Sequence, residues 1–122
     1  MKLKIQKEDF TRALQSVQKV ASNKSNNLSS ETGLLIKAIN ENIEIQATAY
    51  DMGIKTTIPG IIEESGEVFL WDPHLSELTR RIASEEIILT KSDSDSQMSI
   101  EGGKLKYRYM TMNTEDFNEV EV

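Results

Sequence analysis

Apolar and polar residues alternate along this chain in two successive blocks of the same order. Leu3 and Ile5 alternate with Lys2, Lys4 and Gln6, which predicts a short half-buried strand. The spacing then changes. Phe10, Ala13, Leu14, Val17 and Ala21 recur at three and four residues, one face of a helix whose start carries Glu8 and Asp9. Leu34, Ile36 and Ala38 predict a second strand, and Asn40-Glu41-Asn42 a hairpin tip. Ile43, Ile45, Ala47 and Ala49 alternate with Glu44, Gln46 and Thr48 in a third strand. Ile54, Thr56 and Ile58 make a fourth. Pro59-Gly60 ends it, and a polar stretch through Glu63-Glu64-Ser65-Gly66 reads as a crossing to the second block.

That block repeats the order. Val68, Phe69, Leu70 and Trp71 predict a strand. Asp72 and Pro73 follow as N-cap and first helical residue, with Leu75, Leu78 and Ile82 as the apolar face. Ile87-Ile88-Leu89 is a strand, Ser92 to Ser96 a tip, Met98 and Ile100 a further strand, and Gly102-Gly103 a turn. In the last strand Leu105, Tyr107 and Tyr109 alternate with Lys104, Lys106 and Arg108. The expectation is an α+β fold built from an internally duplicated β-α-β-β-β unit, with halves 1–60 and 61–122. Two helices then occupy equivalent places and share one outward surface.

A chain of 122 residues is one domain by size and buries roughly two-thirds of its unfolded surface. There is no cysteine, which excludes disulfides and thiolate metal sites, and a single histidine leaves little for a zinc site or a catalytic triad. No apolar run approaches a membrane span and the N-terminus carries no signal-peptide pattern, so a cytoplasmic protein without membrane contact is expected. Asp93-Ser94-Asp95 resembles the start of a calcium loop, but the later ligands and the glycine are missing. Asp51 reads as a turn residue and His74 as a surface one. No phosphate loop or nucleophile elbow appears. The expectation is a non-enzyme with no catalytic residue, metal or cofactor.

Charge changes the picture once it is divided. Residues 1–24 hold six basic and two acidic residues; residues 25–122 hold eight basic and eighteen acidic ones. Such a protein repels nucleic acid in bulk and attracts it locally. On the first helix Arg12, Gln15, Ser16 and Lys19 lie opposite the apolar stripe, and Lys24 follows in the next loop. On the second, His74, Arg80 and Arg81 face solvent with Glu77. Taken alone, this pattern fits an ordinary solvated helix face more often than a binding surface.

The helix from Phe10 to Val20 with Leu14, Gln15 and Val17, the segment Gly33-Leu34-Leu35-Ile36, Ala49-Tyr50-Asp51-Met52, and the run from Gly103 through Tyr107 and Tyr109 to Asp116-Phe117 stand in a familiar order. Over its whole length the chain resembles the N-terminal domain of the bacterial DNA polymerase III beta subunit, the sliding clamp. Three places depart from the family pattern: the proline-free loop Ser25 to Ser30, Gly53 where an acid is common, and Asn118 where a proline usually follows the phenylalanine. The chain is a divergent member there.

The resemblance implies a DNA-clamp fold, with two antiparallel helices packed on antiparallel sheets. It implies a subunit of three such domains, two subunits closing a ring around duplex DNA, and helices lining the hole. Arg12, Gln15, Lys19, Lys24, Arg80 and Arg81 are then the DNA-facing positions. Lys104, Lys106, Tyr107, Arg108 and Tyr109 lie on the edge strand that meets another subunit. The tyrosines fit either that interface or the core. The DNA polymerase and the clamp loader are partners of the full-length parent. The expectation is therefore the first of three clamp domains, residues 1–122, detached from its parent. Two alternatives stay open: a stand-alone one-domain clamp homologue that self-assembles or caps another clamp, and a small non-enzymatic interaction module. Two adjacent antiparallel helices on one side of the sheets separate the clamp readings from the last.

Overall fold

Strand β1 (Lys2–Gln6) runs without a loop into helix α1 (Lys7–Ser22). The structure, a computed structural model, describes residues 1–22, 33–49, 52–70, 75–92 and 96–111. Among these the chain continues as β2 (Gly33–Ile39), β3 (Asn42–Ala49), β4 (Met52–Ile58), β5 (Ile61–Glu64) and β6 (Gly66–Leu70). It ends with α2 (Leu75–Arg80), β7 (Glu86–Lys91), β8 (Gln97–Gly102) and β9 (Leu105–Met110). Trp71 to His74, including the expected Asp72-Pro73 helix start, lie outside the described residues, as do Tyr50, Asp51, the 93–95 tip and Asp116-Phe117. No helix among the described residues is long and apolar enough to cross a membrane.

The strands form two antiparallel sheets, one in the order β5-β1-β7-β8-β9 and one in the order β4-β3-β2-β6. Their pairing crosses between the halves of the chain. β1 lies against β7, with Leu3 opposite Leu89 and Ile5 opposite Ile87. β6 lies against β2, with Val68 opposite Ile36 and Leu70 opposite Leu34. Each half lends its first strand to the sheet of the other. With β5 set aside, exchanging β1 to β4 for β6 to β9 turns one strand order into the other.

Helix α1 begins where the period changes from two to 3.6. Its stripe of Phe10, Ala13, Leu14 and Val17 is buried, and the helix packs on β3 and β4 of the opposite sheet. In α2 the buried positions are Leu75, Thr79 and, just beyond the helix, Ile82, while Leu78 is only half-buried. Thr79 replaces the expected leucine because its hydroxyl donates to the Leu75 carbonyl at 2.8 Å and needs no water. Ile82 then sits on Gly102 of β8, where a Cβ would stand 2.1 Å from its Cγ2. Buried residues from both sheets and both helices join in one continuous core.

Two local features depart from the simple alternation. The 61–64 stretch, expected as a crossing, is a strand that pairs with the free edge of β1, Leu3 opposite Ile62. The short segment supplies backbone partners on the side of β1 that β7 does not reach. Strand β2 is buried on both faces: Leu34, Ile36 and Ala38 enter the main core, while Leu35 lies beside Phe69 in a second cluster. The Phe69 ring fills the space over Gly33, where a Cβ would lie 1.9 Å from its edge.

The β2–β3 hairpin turns through Asn40 (φ 53) and Glu41 (φ 69), both left-handed, the turn that matches the twist of two strands. Glu41→Gly relieves one strained residue, and we expect a gain of about 1 kcal/mol in urea unfolding with unchanged slope. Gly102→Ala pushes against Ile82, and a loss of about 1–3 kcal/mol is expected; the Gly102→Ala/Ile82→Ala double variant should lose less than the sum of the two single variants.

Candidate nucleic-acid and subunit interfaces

The two helices touch along their sides and run antiparallel. Lys7, the first residue of α1, donates from Nζ to the carbonyl oxygen of Arg80, the last residue of α2, at 3.1 Å. A cation at a helix C-terminus meets otherwise unpaired carbonyls. The backbone N–H of Lys7 also donates to the Glu85 carbonyl at 2.8 Å. The start of the first helix is thus tied to the end of the second.

Because α1 turns its apolar stripe toward β3 and β4, the opposite side is left to solvent. Arg12 and Gln15 are exposed there, and Ser16 is half-buried, its hydroxyl donating to the Arg12 carbonyl at 3.1 Å. Lys19 belongs to the same helix, but its side chain is not among those described, and Lys24 lies outside the described residues. On the other helix Arg80 and Arg81 are exposed. The structure therefore brings Arg12, Gln15, Arg80 and Arg81 onto the solvent side of one helix pair.

Two of these arginines carry an acid from one turn earlier. Arg12 Nη2 stands 2.8 Å from Asp9 Oδ1, and Arg81 Nη2 stands 3.2 Å from Glu77 Oε1. The spacings i,i+3 and i,i+4 are a local signal present in the sequence. The bond from Lys7 to Arg80 joins residues 73 positions apart and has no local signal. The helices together with Arg81 hold five cations (Lys7, Arg12, Lys19, Arg80, Arg81) against three acids (Glu8, Asp9, Glu77).

The second candidate surface is β9, an edge of the five-stranded sheet. Tyr109 lies opposite Met98 and Tyr107 opposite Ile100, so both rings share the core-facing side. Both are half-buried and pack against the core. Lys106 and Arg108 stand on the other side, exposed, with Lys106 Nζ 3.7 Å from Glu101 of β8. Lys104 falls in the preceding turn rather than in the strand, and the strand is flanked by exposed Leu105 and Met110. Leu105 was expected beside the tyrosines on an apolar face. At the strand's first position it reaches past the core.

No curated protein sequence matches the chain. Solved bacterial clamps do match its fold. The DNA polymerase sliding clamp from Caulobacter crescentus superposes with a TM-score of 0.88 at 24% identity, covering 100% of this chain and 33% of that one. A putative DNA polymerase III beta subunit from Eubacterium rectale gives a TM-score of 0.88 at 25% identity, again over 100% of this chain and 33% of the other. The Helicobacter pylori beta clamp, solved with a DNA ligase peptide, gives 0.88 at 21% identity over 100% and 34%. The chain spans about a third of each of these structures. The family model of the DNA polymerase III beta subunit, N-terminal domain, matches residues 1–121. By that match, on two sheets crossed by a pair of antiparallel helices, the chain belongs to the N-terminal domain family of the DNA polymerase III beta subunit.

Proposed function

We propose that residues 1–122 form the first of three domains in a sliding clamp, with pseudo-twofold halves 1–60 and 61–122. In this reading the helix pair faces duplex DNA. Arg12, Gln15, Lys19, Lys24, Arg80 and Arg81 make transient, sequence-blind contacts with phosphates, partly through water. Strand β9 joins another clamp subunit, Lys106, Arg108 and the neighbouring Lys104 meeting acids while Tyr107 and Tyr109 pack against apolar side chains. The protein is a non-catalytic processivity factor. It keeps a DNA polymerase on its template by encirclement in the bacterial cytoplasm, after a loader has opened the ring.

The observation that carries this reading is the contacting helix pair, with Arg12 and Gln15 exposed on α1, Arg80 exposed on α2 and Arg81 exposed just beyond it. The acids elsewhere support it. Glu41, Glu63, Glu64, Glu67, Glu85 and Glu86 are all exposed and lie outside both helices, and such acids repel phosphate. Encirclement needs only a weak inner contact, because topology rather than affinity retains the ring.

Changing Arg12, Lys19 and Lys24 together to Glu should leave stability within roughly 0.5 kcal/mol per site, since these are surface positions. In fluorescence anisotropy at low salt the natural chain should bind duplex DNA weakly, and the variant should lose that affinity and show a shallower salt dependence. Unchanged affinity and slope would remove these residues from the DNA face. By light scattering the chain should remain monomeric from micromolar to near-millimolar concentration, as a detached domain would. A closed oligomer would instead support a one-domain clamp that assembles from its own copies.

A further inference from the structure

An exposed arginine on α1 and another just beyond the end of α2 are each engaged by an acid one turn earlier. The arrangement recurs on α1 and α2, which share little else in sequence. The two pairs differ in grip. Asp9 is mostly hidden, with 22% of its side chain exposed, and holds Arg12 at 2.8 Å; Glu77 is 61% exposed and holds Arg81 at 3.2 Å. Both guanidinium groups stay largely open, at 65% and 69%. Arg80, between the pairs, has no carboxylate partner among the described residues.

As stability devices these pairs do little, because exposed ion pairs within one helix contribute marginally. Their effect on an approaching phosphate is larger. A carboxylate beside a guanidinium occupies part of its donor fork and cancels its charge at distances beyond a few ångströms. A phosphate reaches the arginine only by competing with the acid, and the acid takes the arginine back when the phosphate leaves. A bare arginine grips; an arginine with a resident acid exchanges.

We propose that Asp9 and Glu77 are positioning residues that hold Arg12 and Arg81 toward the helix face and keep their phosphate contacts weak and short-lived. The acids set how tightly the face grips the DNA it slides along. This rests on the reading that the helix pair faces duplex DNA. With both acids neutralised the net charge of the helices with Arg81 rises from two to four.

The test is an NMR titration of the 122-residue chain with a duplex of about two helical turns, at low salt, following backbone amides. The variants are Asp9→Asn, Glu77→Gln and the two combined, with Glu64→Gln on the distant β5 edge as a control of equal charge change. Each neutralised helix acid should tighten binding about threefold through the arginine it releases, the size of one freed guanidinium charge roughly 6 Å from a phosphate in water. The double variant should bind about tenfold tighter, and its salt slope should steepen by up to about 1.8. Glu64→Gln should change affinity far less. In an Arg12→Gln background the gain from Asp9→Asn should largely vanish, because Asp9 acts through that arginine.

If the amides of α1 and α2 shift but the acid variants bind like the natural chain, the role of Asp9 and Glu77 falls and the DNA face stands. The same holds if Glu64→Gln gains as much, or if Asp9→Asn keeps its full gain without Arg12. If the duplex shifts amides elsewhere, or none, the DNA face itself falls and this inference with it. Thermal midpoints on the same samples separate a purely structural role. A variant whose midpoint drops while its affinity stays constant counts against the proposal.

Discussion

The crossed pairing of β1 with β7 and of β6 with β2 is the constraint from which the rest of the molecule follows. Here a strand locked into one sheet leads at once into a helix that lies across the other sheet. Thus α1, leaving β1, packs on β3 and β4. α2 leaves β6, which is paired to β2, and its continuation at Ile82 reaches Gly102 of β8. The two helices therefore pass each other in opposite directions over a common core. A one-residue slip in β1 against β7 would turn Leu3 and Ile5 outward and bring Lys4 in, so the register is held by burial as much as by the ladder.

The same constraint decides where charge stands. Helices seated on the sheets by their apolar stripes have only the opposite side to offer, and in this chain that side carries Arg12, Gln15, Arg80 and Arg81. The carboxylates outnumber the cations over the chain, yet they gather on turns and edges: Glu41 at the hairpin, Glu63 and Glu64 on β5, Glu85 and Glu86 before and at the start of β7. A basic helix face on an acidic body is the charge pattern on which the proposed enclosure of DNA rests.

Most of the architecture was legible because the sheets and α1 obey simple periods. Leu3 and Ile5, Ile43 to Ala47, and Met98 and Ile100 alternate as half-buried strands should, and the stripe of α1 is unbroken to Val17. What was not legible depends on residues far apart. Strand β5 has an exposed Ile61 and two glutamates, so nothing local distinguishes it from a polar crossing. The burial of Leu35 comes from Phe69, which reaches it through the β2–β6 pairing. Thr79 rather than Leu78 is buried because the short helix is oriented by its surroundings and not by the hydrophobicity of each residue. On α1 the exposure of Arg12 and Gln15 followed from helical phase alone. The tie from Lys7 to Arg80, which sets the two helices side by side, did not.

The long reach of the first strand has a consequence for the order in which the chain can fold as it is made. The Met1 carbonyl accepts the Lys91 amide, and Lys2 faces Thr90, so β1 has only the short β5 beside it until about three-quarters of the domain has emerged from the ribosome. At roughly 5–20 residues per second that is a wait of about 5–20 s. During it α1 and the β2–β3–β4 meander, whose contacts are local, can form. The strand that begins the chain is among the last to find its place, and its apolar stripe stays uncovered meanwhile. The final closure of the sheet is an event of the whole domain rather than of either half.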